Sequence, residues 1–318
     1  MSRTERAVIV WKPQPRQLEF MRRPEPEALY GGAAGGGKSD ALLIEALRQV
    51  HIPHYRALIL RKTYPQLSDL VDKSQMYYRR AFPEAQYNAT SHVWVFPSGA
   101  KIWFGSMQYT KDRTNYQGKA YDFIGFDELT HFEWDEYSYM MSRNRPTGPG
   151  TRVYMRATTN PGGIGHLWVK RLFVDREYRE GEKAKDYTFI PATVDDNPQL
   201  LEASPEYKQM LDLLPEDVRR AWRYGDWNAM AGTFFPEFRR ETHVIAPFVR
   251  VPREWKKYRA FDYGLDMFAC LWVAVDFEGR AYVYREVQQS GLIVSEAAKL
   301  ANALTPPEEH IEFTVAPP

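Results

Sequence analysis

The stretch Ala28-Leu29-Tyr30-Gly31-Gly32-Ala33-Ala34-Gly35-Gly36-Gly37-Lys38-Ser39-Asp40-Ala41-Leu42-Leu43-Ile44 decides the fold. A short apolar run comes first, then the spacing G-x-x-x-x-G-K-S from Gly32 to Ser39, then helix formers through Leu47. Strand, glycine-rich turn and helix in that order read as a phosphate-binding loop. Glycines let the backbone bend round an anion and aim N–H groups at it, and the helix N-terminus adds its dipole. Gly32, Gly35, Gly36 and Gly37 are the expected cradle for ATP, Lys38 the contact to the β and γ phosphates, and Ser39 a ligand of Mg²⁺. A flexible glycine linker does not account for Lys-Ser at that offset before a helix.

Working outward, Ala57-Leu58-Ile59-Leu60, Tyr121 to Phe126 and Arg152 to Thr158 read as buried strands separated by helical pattern, which implies an α/β fold with a parallel sheet. His92 to Phe96 and Lys101 to Phe104 flank Pro97-Ser98-Gly99-Ala100, an inserted hairpin. Ser204 to Trp227 is helical and polar, a small subdomain. Gly232 to Pro252 is rich in Phe, Pro and Arg without periodicity and reads as a linker. Beyond it, Tyr258 to Tyr263, Cys270 to Asp276 and Ala281 to Val287 are three successive strands, followed by a helix at Val294 to Leu304 and a last strand, Ile311 to Val315. The expected domains are therefore residues 1–245, with a helical and linker subdomain at about 180–245, and residues 250–318.

Composition agrees. At about 150 residues per domain, 318 residues suit two domains. With 42 Lys plus Arg against 41 Asp plus Glu, a uniformly basic nucleic-acid coat protein is excluded, and any DNA-binding surface is a local patch. The single cysteine, Cys270, excludes a disulfide framework or thiolate zinc site within the chain. The seven histidines lack metal-ligand spacing and read as structural or solvated. Apolar runs fall far short of the ~20 residues of a membrane span, and the N-terminus reaches Lys12 too soon for a signal peptide, so an intracellular protein without a membrane partner is expected.

A phosphate-binding loop calls for an acidic residue at the end of a neighbouring buried strand. Tyr121-Asp122-Phe123-Ile124-Gly125-Phe126-Asp127-Glu128 supplies it: Asp127 for the magnesium, and Glu128 to orient and deprotonate an attacking water. That pair points to hydrolysis.

The loop, Gly125-Phe126-Asp127-Glu128-Leu129-Thr130, Ala157-Thr158-Thr159-Asn160-Pro161-Gly162-Gly163 and Phe261-Asp262-Tyr263-Gly264 follow one another in that order. Together they resemble the large terminase subunit of tailed bacteriophages, from about Trp11 to the C-terminus. The resemblance implies a P-loop NTPase of the additional-strand, catalytic-glutamate type that pumps double-stranded viral DNA into a procapsid. An RNase H-like nuclease using Mg²⁺ or Mn²⁺ to cut concatemeric DNA would follow it. It implies portal protein, small terminase subunit and a homo-oligomeric ring as partners, in the cytoplasm of an infected bacterial host.

Carried over by position, the resemblance makes Lys38 and Ser39 the Walker A residues, Asp127 and Glu128 Walker B, and Thr158, Thr159 and Asn160 the coupling motif that senses the γ-phosphate. Gln17, within Trp11 to Phe20, becomes the adenine-recognition glutamine. Where some relatives carry an Arg-Gly arginine finger, this chain has Gln117-Gly118, so Arg113 and Arg61 are the candidates for that charge. Asp262 falls on the first metal-binding aspartate of the nuclease. Pro318 comes where the family places the second, so residues 250–318 are expected to be a partial domain without cleavage activity of its own. Asp276 reads as a hairpin-turn residue, Glu286 as a strand position and Asp266 as a spare carboxylate. The alternatives are a P-loop helicase-like nucleic-acid ATPase and a docking protein whose conformation bound ATP sets.

Overall fold

A short helix, α1 (Pro15–Arg22), leads into β1 (Glu27–Gly32), whose residues are all buried, as a strand covered on both faces requires. The chain continues through α2 (Lys38–Ala46), β2 (Arg56–Arg61), α3 (Tyr64–Ala81), the short strands β3 (Gln86–Asn88) and β4 (Val93–Val95), β5 (Lys101–Ser106) and β6 (Phe123–Asp127). Then come α4 (Trp134–Met141), β7 (Tyr154–Thr159), α5 (His166–Val169) running into a π-helical turn, β8 (Tyr187–Ala192), α6 (Pro198–Ala203), α7 (Tyr207–Asp212) and α8 (Glu216–Tyr224). The structure is a computed structural model that describes residues 9–229, 240–248, 250–264 and 267–316. Its chain divides into two compact units, Met1–Pro236 and Glu237–Pro318. Asp266 and the part of the expected linker at 232–239 lie outside the described residues.

In the first unit the sheet order is β3-β4-β5-β2-β6-β7-β1-β8. From β5 to β8 every pairing is parallel, and β3 and β4 extend the sheet by antiparallel pairing. The expected hairpin is thus β4 and β5, with β5 also built into the parallel sheet. β7 lies between the strand that carries the phosphate loop, β1, and the strand that ends in Asp127, β6. This is the additional strand of the expected NTPase class. Parallel strands place all their C-terminal ends on one edge, so the loops after β1, β2, β6, β7 and β8 converge there.

Alternation along the strands divides the core into two layers. Ala28 and Tyr30 of β1 and Ala57 and Ile59 of β2 pack with α1, α2 and α3 residues such as Phe20, Leu42 and Leu67. Leu29, Leu58 and Leu60 face the other way, with Phe126, Tyr137, Met140, Leu172 and Trp227. One boundary differs from expectation. Tyr187–Ala192, inside the stretch assigned to a helical and linker subdomain, is β8 and pairs with the whole of β1. Pro191 hides it in the sequence, because proline argues against a central strand; β8 is an edge strand, where a missing N–H costs no pairing.

In the second unit, α9 (Arg240–His243) precedes β9 (Lys256–Tyr263), β10 (Phe268–Val275) and β11 (Ala281–Gln289), then α10 (Val294–Ala303) and β12 (Phe313–Val315). The order is β11-β10-β9-β12, antiparallel through the first three, with β12 parallel to β9. That is the expected succession of three strands, a helix and a strand. Asp276 holds the β10–β11 turn, accepting from the N–H groups of Glu278 and Arg280 at 2.8 and 2.9 Å. No described helix is long and apolar enough to cross a membrane.

One buried carboxyl makes the first unit's stability depend on pH. Glu27, at the start of β1, takes a hydrogen bond from the Tyr137 hydroxyl, and burial pushes it up to about 7 from 4.5. Because the folded value is raised, its contribution is complete below about 4.5 and is lost as pH rises through about 7. Glu27→Gln, which keeps the acceptor and cannot ionise, is expected to leave the melting temperature unchanged near pH 4 and to raise it near pH 8, by an amount equivalent to on the order of 3 kcal/mol. Thermal melts across that range check it, and equal shifts at both ends refute it.

Candidate nucleotide site

The phosphate loop starts from backbone geometry that strongly favours glycine. Gly32 has φ +137°, and a Cβ there would stand 2.4 Å from the Ala192 carbonyl oxygen; Gly37 has φ +69°, and a Cβ would meet Gln17 Nε2 at 2.5 Å. Neighbouring elements hold the loop from outside. The N–H of Ala33 donates to Ala192 O at 2.8 Å and that of Ala34 to Trp222 O at 2.7 Å. The carbonyls of Gly35, Gly36 and Gly37 accept from Asn197 Nδ2 (2.7 Å), Tyr30 Oη (2.9 Å) and Gln17 Nε2 (2.8 Å). In a trans peptide the C=O and the following N–H point in opposite directions. With those three carbonyls turned outward, the N–H groups of Gly36, Gly37 and Lys38 turn inward at the start of α2, which is the cradle an anion needs. Lys38 Nζ reaches across the loop to Ala33 O at 2.5 Å. Burial pushes its amine down to about 8, against the pull of Glu128 and Asp127.

Asp127, 1% exposed at the end of β6, is the hub of the opposite wall. Its Oδ1 accepts from Ser39 Oγ at 2.9 Å and Thr158 Oγ1 at 2.5 Å. Its Oδ2 takes Arg61 at 2.7 Å. Glu128, next in the chain, adopts φ 58° and ψ 58°, an uncommon conformation for a side chain of this kind. The turn aims its carboxylate away from the strand. There Oε2 accepts from the Asn160 N–H at 3.2 Å, and Oε1 lies 3.7 Å from the Arg61 guanidinium. Thr159 Oγ1, which the resemblance assigns to phosphate sensing, pairs with Thr130 Oγ1 at 2.7 Å and fixes the end of β7 against the turn after Glu128. Asn160 Oδ1 is buried without a hydrogen-bond partner among the described residues.

The structure therefore brings Gly32, Gly35, Gly36, Gly37, Lys38, Ser39, Asp127, Glu128, Thr159 and Asn160 together. Three expected residues stand elsewhere or act otherwise. Gln17 is 3% exposed, and its amide is committed: Nε2 to Gly37 O, Oε1 to the N–H of Gln14. It props the phosphate loop from beneath, a role set by the packing of α1 on α2. Arg113 lies on the 3₁₀ turn Thr110–Tyr116, 3.5 Å from Asp135, on a cavity of about 540 Å³ lined also by Gln117 and Tyr139. Asp262 is exposed on β9 of the second unit. Among the described residues no group of three or more His, Cys, Asp and Glu is placed to hold a metal ion. A magnesium in phosphoryl transfer takes most of its ligands from phosphates and water, and the hydroxyl and carboxylate of Ser39 and Asp127, 2.9 Å apart, fit that arrangement. Asp262 alone does not make a two-metal site. Asn197 escaped the sequence reading. Asn197-Pro198 signals a helix start, but its grip on Gly35 exists only once β8 is in the sheet.

A family model of the terminase large subunit, T4likevirus-type, N-terminal, matches residues 29–242. The chain belongs to the terminase large-subunit family. Among solved structures it resembles the large terminase of a thermophilic bacteriophage, with a TM-score of 0.56 at 16% identity over 96% of this chain and 78% of that one. The same phage protein in complex with ADP gives 0.52 at 17% identity, over 96% and 77%. In complex with ATP-gamma-S it gives 0.50 at 17% identity, over the same shares. Identities this low establish the shared fold alone. No curated protein matches. As a large terminase, the chain is a DNA-packaging ATPase.

The Lys38 environment carries a pH signature. Only the protonated amine attracts phosphate, and kcat/KM reports the free enzyme whereas kcat reports the bound one. kcat/KM for ATP is expected to fall as pH rises through about 8, with kcat flat to higher pH because bound phosphates hold the proton on Lys38. Lys38→Arg should lose the alkaline limb. A limb shared by both parameters, or retained in the arginine variant, assigns it to another group.

Proposed function

We propose that the edge formed by β1, β6 and β7 binds ATP and hydrolyses it with Glu128 as general base, and that this hydrolysis drives translocation of double-stranded viral DNA into a procapsid. The observation that carries the reading is Glu128 itself. It is held in a left-handed turn directly after the buried Asp127, with its carboxylate fixed by the N–H of Asn160. The inward N–H groups of the loop and Lys38 bind the phosphates. A water lying against Glu128, with the free Oδ1 of Asn160 as a second acceptor, gives a proton to the carboxylate as its oxygen attacks the γ-phosphorus. The bond to the bridging oxygen breaks, and ADP leaves with that electron pair. Magnesium held by Ser39 and Asp127 would neutralise charge on the β and γ oxygens. Arg61, already within reach of Asp127 and Glu128, is the cation in cis, and Arg113 is placed for a neighbouring subunit of a ring. The nucleotide complexes of the thermophilic phage's terminase support the ATP assignment.

The second unit extends the proposal to an RNase H-like nuclease. Asp262 stands near the end of β9, opposite Ala269 of β10, where a first metal-binding aspartate is expected. The packaging context implies portal protein and small terminase subunit as partners, and the host cytoplasm as the place of action.

Glu128→Gln tests the base. It keeps the shape and the hydrogen bond to Asn160 but cannot take a proton. It is expected to bind ATP within a few-fold of the parent while turnover falls at least ~10²-fold, the usual worth of a general base. Lys38→Ala is expected to lose binding as well. Near-parental turnover in Glu128→Gln removes the residue from the catalytic role.

An arginine supplied in trans contributes ~10³–10⁵-fold in rate, so specific activity should rise with protein concentration and Arg113→Ala should abolish that rise. Mixing Arg113→Ala with Glu128→Gln, each defective alone, should restore activity at interfaces where a Glu128→Gln subunit lends its arginine to an intact site. No recovery, with concentration-independent turnover, assigns the charge to Arg61 in cis.

A further inference from the structure

His166, read from the sequence as structural or solvated, makes two directed hydrogen bonds in a place where they matter. It opens α5, is 3% exposed, and follows the loop that runs from Asn160 through Gly162 and Gly163, both at positive φ. Its Nδ1 accepts from the Gly162 N–H at 3.0 Å. A neutral imidazole carries one proton, so Nε2 holds it and donates to the Trp227 carbonyl, also at 3.0 Å. The ring stacks on the Trp227 indole with centroids 5.5 Å apart and planes 20° apart.

Each end of that bridge belongs to a part of the site. The Gly162 end is the loop whose Asn160 N–H fixes Glu128. The Trp227 end lies on β1 and β8: a Cβ on Gly31 would stand 3.1 Å from the indole, and Phe189 meets it edge-on at 5.9 Å. Trp227 also follows α8, whose Trp222 carbonyl receives the N–H of Ala34 in the phosphate loop. The stretch from Trp222 to Trp227 is therefore gripped by the phosphate loop at one end and by the γ-phosphate-sensing loop, through His166, at the other.

We propose that His166 is a positioning residue that ties the Asn160–Gly163 loop to Trp227, so that the setting of Glu128 and the position of the Trp222–Trp227 stretch change together. The inference rests on the reading of Glu128 as general base. A rigid two-ended bridge transmits displacement in either direction. A shift of Asn160 at hydrolysis pulls on Trp227, and a displacement of Trp227 moves Asn160. The bridge exists only in the neutral tautomer, because protonated Nδ1 has no lone pair for Gly162. Burial holds the imidazole below its ordinary value of 6.5, with Lys170 opposing the charge and the Trp227 carbonyl and Asp175 favouring it. Lys170 and Asp175 pair with each other at 2.7 Å. The Gly162 contact is a backbone amide, and the Trp227 contacts are an indole and a carbonyl.

The two arms are separable by amide side chains. His166→Asn places an oxygen near the Nδ1 position and keeps the Gly162 arm; His166→Gln reaches with its nitrogen towards the Trp227 carbonyl and drops Gly162. In the full chain, His166→Gln is expected to lower kcat about tenfold, the rate equivalent of one lost hydrogen bond, with KM for ATP within about twofold. His166→Asn should keep kcat within about threefold. Parental kcat should fall on the acid side of histidine's ordinary value of 6.5, because burial lowers the imidazole, and the Asn variant, which does not titrate, should lack that fall. Adding ATP-gamma-S should change amide hydrogen exchange in a peptide spanning residues 222–229 of the parent, and His166→Asn should lose that change. An acid limb shared equally by the Asn variant, parental kcat in the Gln variant, or the same exchange response in the Asn variant overturns the proposal. Glu128→Gln assayed in parallel separates the two claims: if it turns over, the base assignment fails. If it is dead while the His166 variants behave as the parent, this inference alone fails.

Discussion

Burying the Asp127 carboxylate is the constraint from which the rest of the first unit follows. A carboxylate at 1% exposure is tolerable only with its lone pairs occupied and its charge balanced. Three elements supply this: Ser39 from the start of α2, Thr158 from the end of β7 and Arg61 from the end of β2. Those contacts fix the sheet order locally, since Thr158 reaches Asp127 only if β7 is the neighbour of β6. They also fix the height of the phosphate loop, since Ser39 reaches it only if α2 begins level with the C-terminal edge. Glu128, one residue on, turns left-handed.

The phosphate loop shows a second consequence. Its conformation is often credited to glycine alone, but glycine only permits it. What selects one arrangement is the ring of hydrogen-bond partners around it: Asn197, Tyr30 and Gln17 donate to the loop's carbonyls, and the Ala192 and Trp222 carbonyls accept from its amides. These come from β1, α1, β8, the turn before α6, and α8. Inward N–H groups are thus a property of the whole unit, pre-organised so that a bound phosphate need not order them. That is why Gln17, which a motif comparison makes a base reader, is found propping Gly37.

Local order was legible in the sequence, and long-range partnership was not. The glycine spacing, the apolar strands before Gly32 and Asp127, and the hairpin around Gly99 are written within windows of a dozen residues, where periodicity and turn chemistry act. The second unit's strand, strand, strand, helix, strand succession was equally plain. β8 was hidden because Pro191 breaks a strand pattern that only an edge position excuses. Asn197, Trp222, Trp227 and His166 were hidden for a different reason. Each acts through a backbone group far away in sequence, and a backbone carbonyl leaves no residue type to notice.

The two ends of β6 show how this fold separates stability from chemistry. Asp122, just before the strand and fully buried, takes four hydrogen bonds: from the N–H of Arg56 and Thr147, and from the hydroxyls of Thr147 and Thr151. Every donor belongs to the protein, so the carboxylate is closed and its work is to pin the loop after α4 against β2. At the other end the network is left open. Glu128 has one firm donor and a strained backbone, Asn160 Oδ1 has none, and Lys38 has only a carbonyl of its own loop. A buried polar atom without its partner costs free energy, and Asn160 Oδ1 is kept in that state beside Glu128. The closed carboxylate at one end of the strand and the open pair at the other mark the division between scaffold and motor.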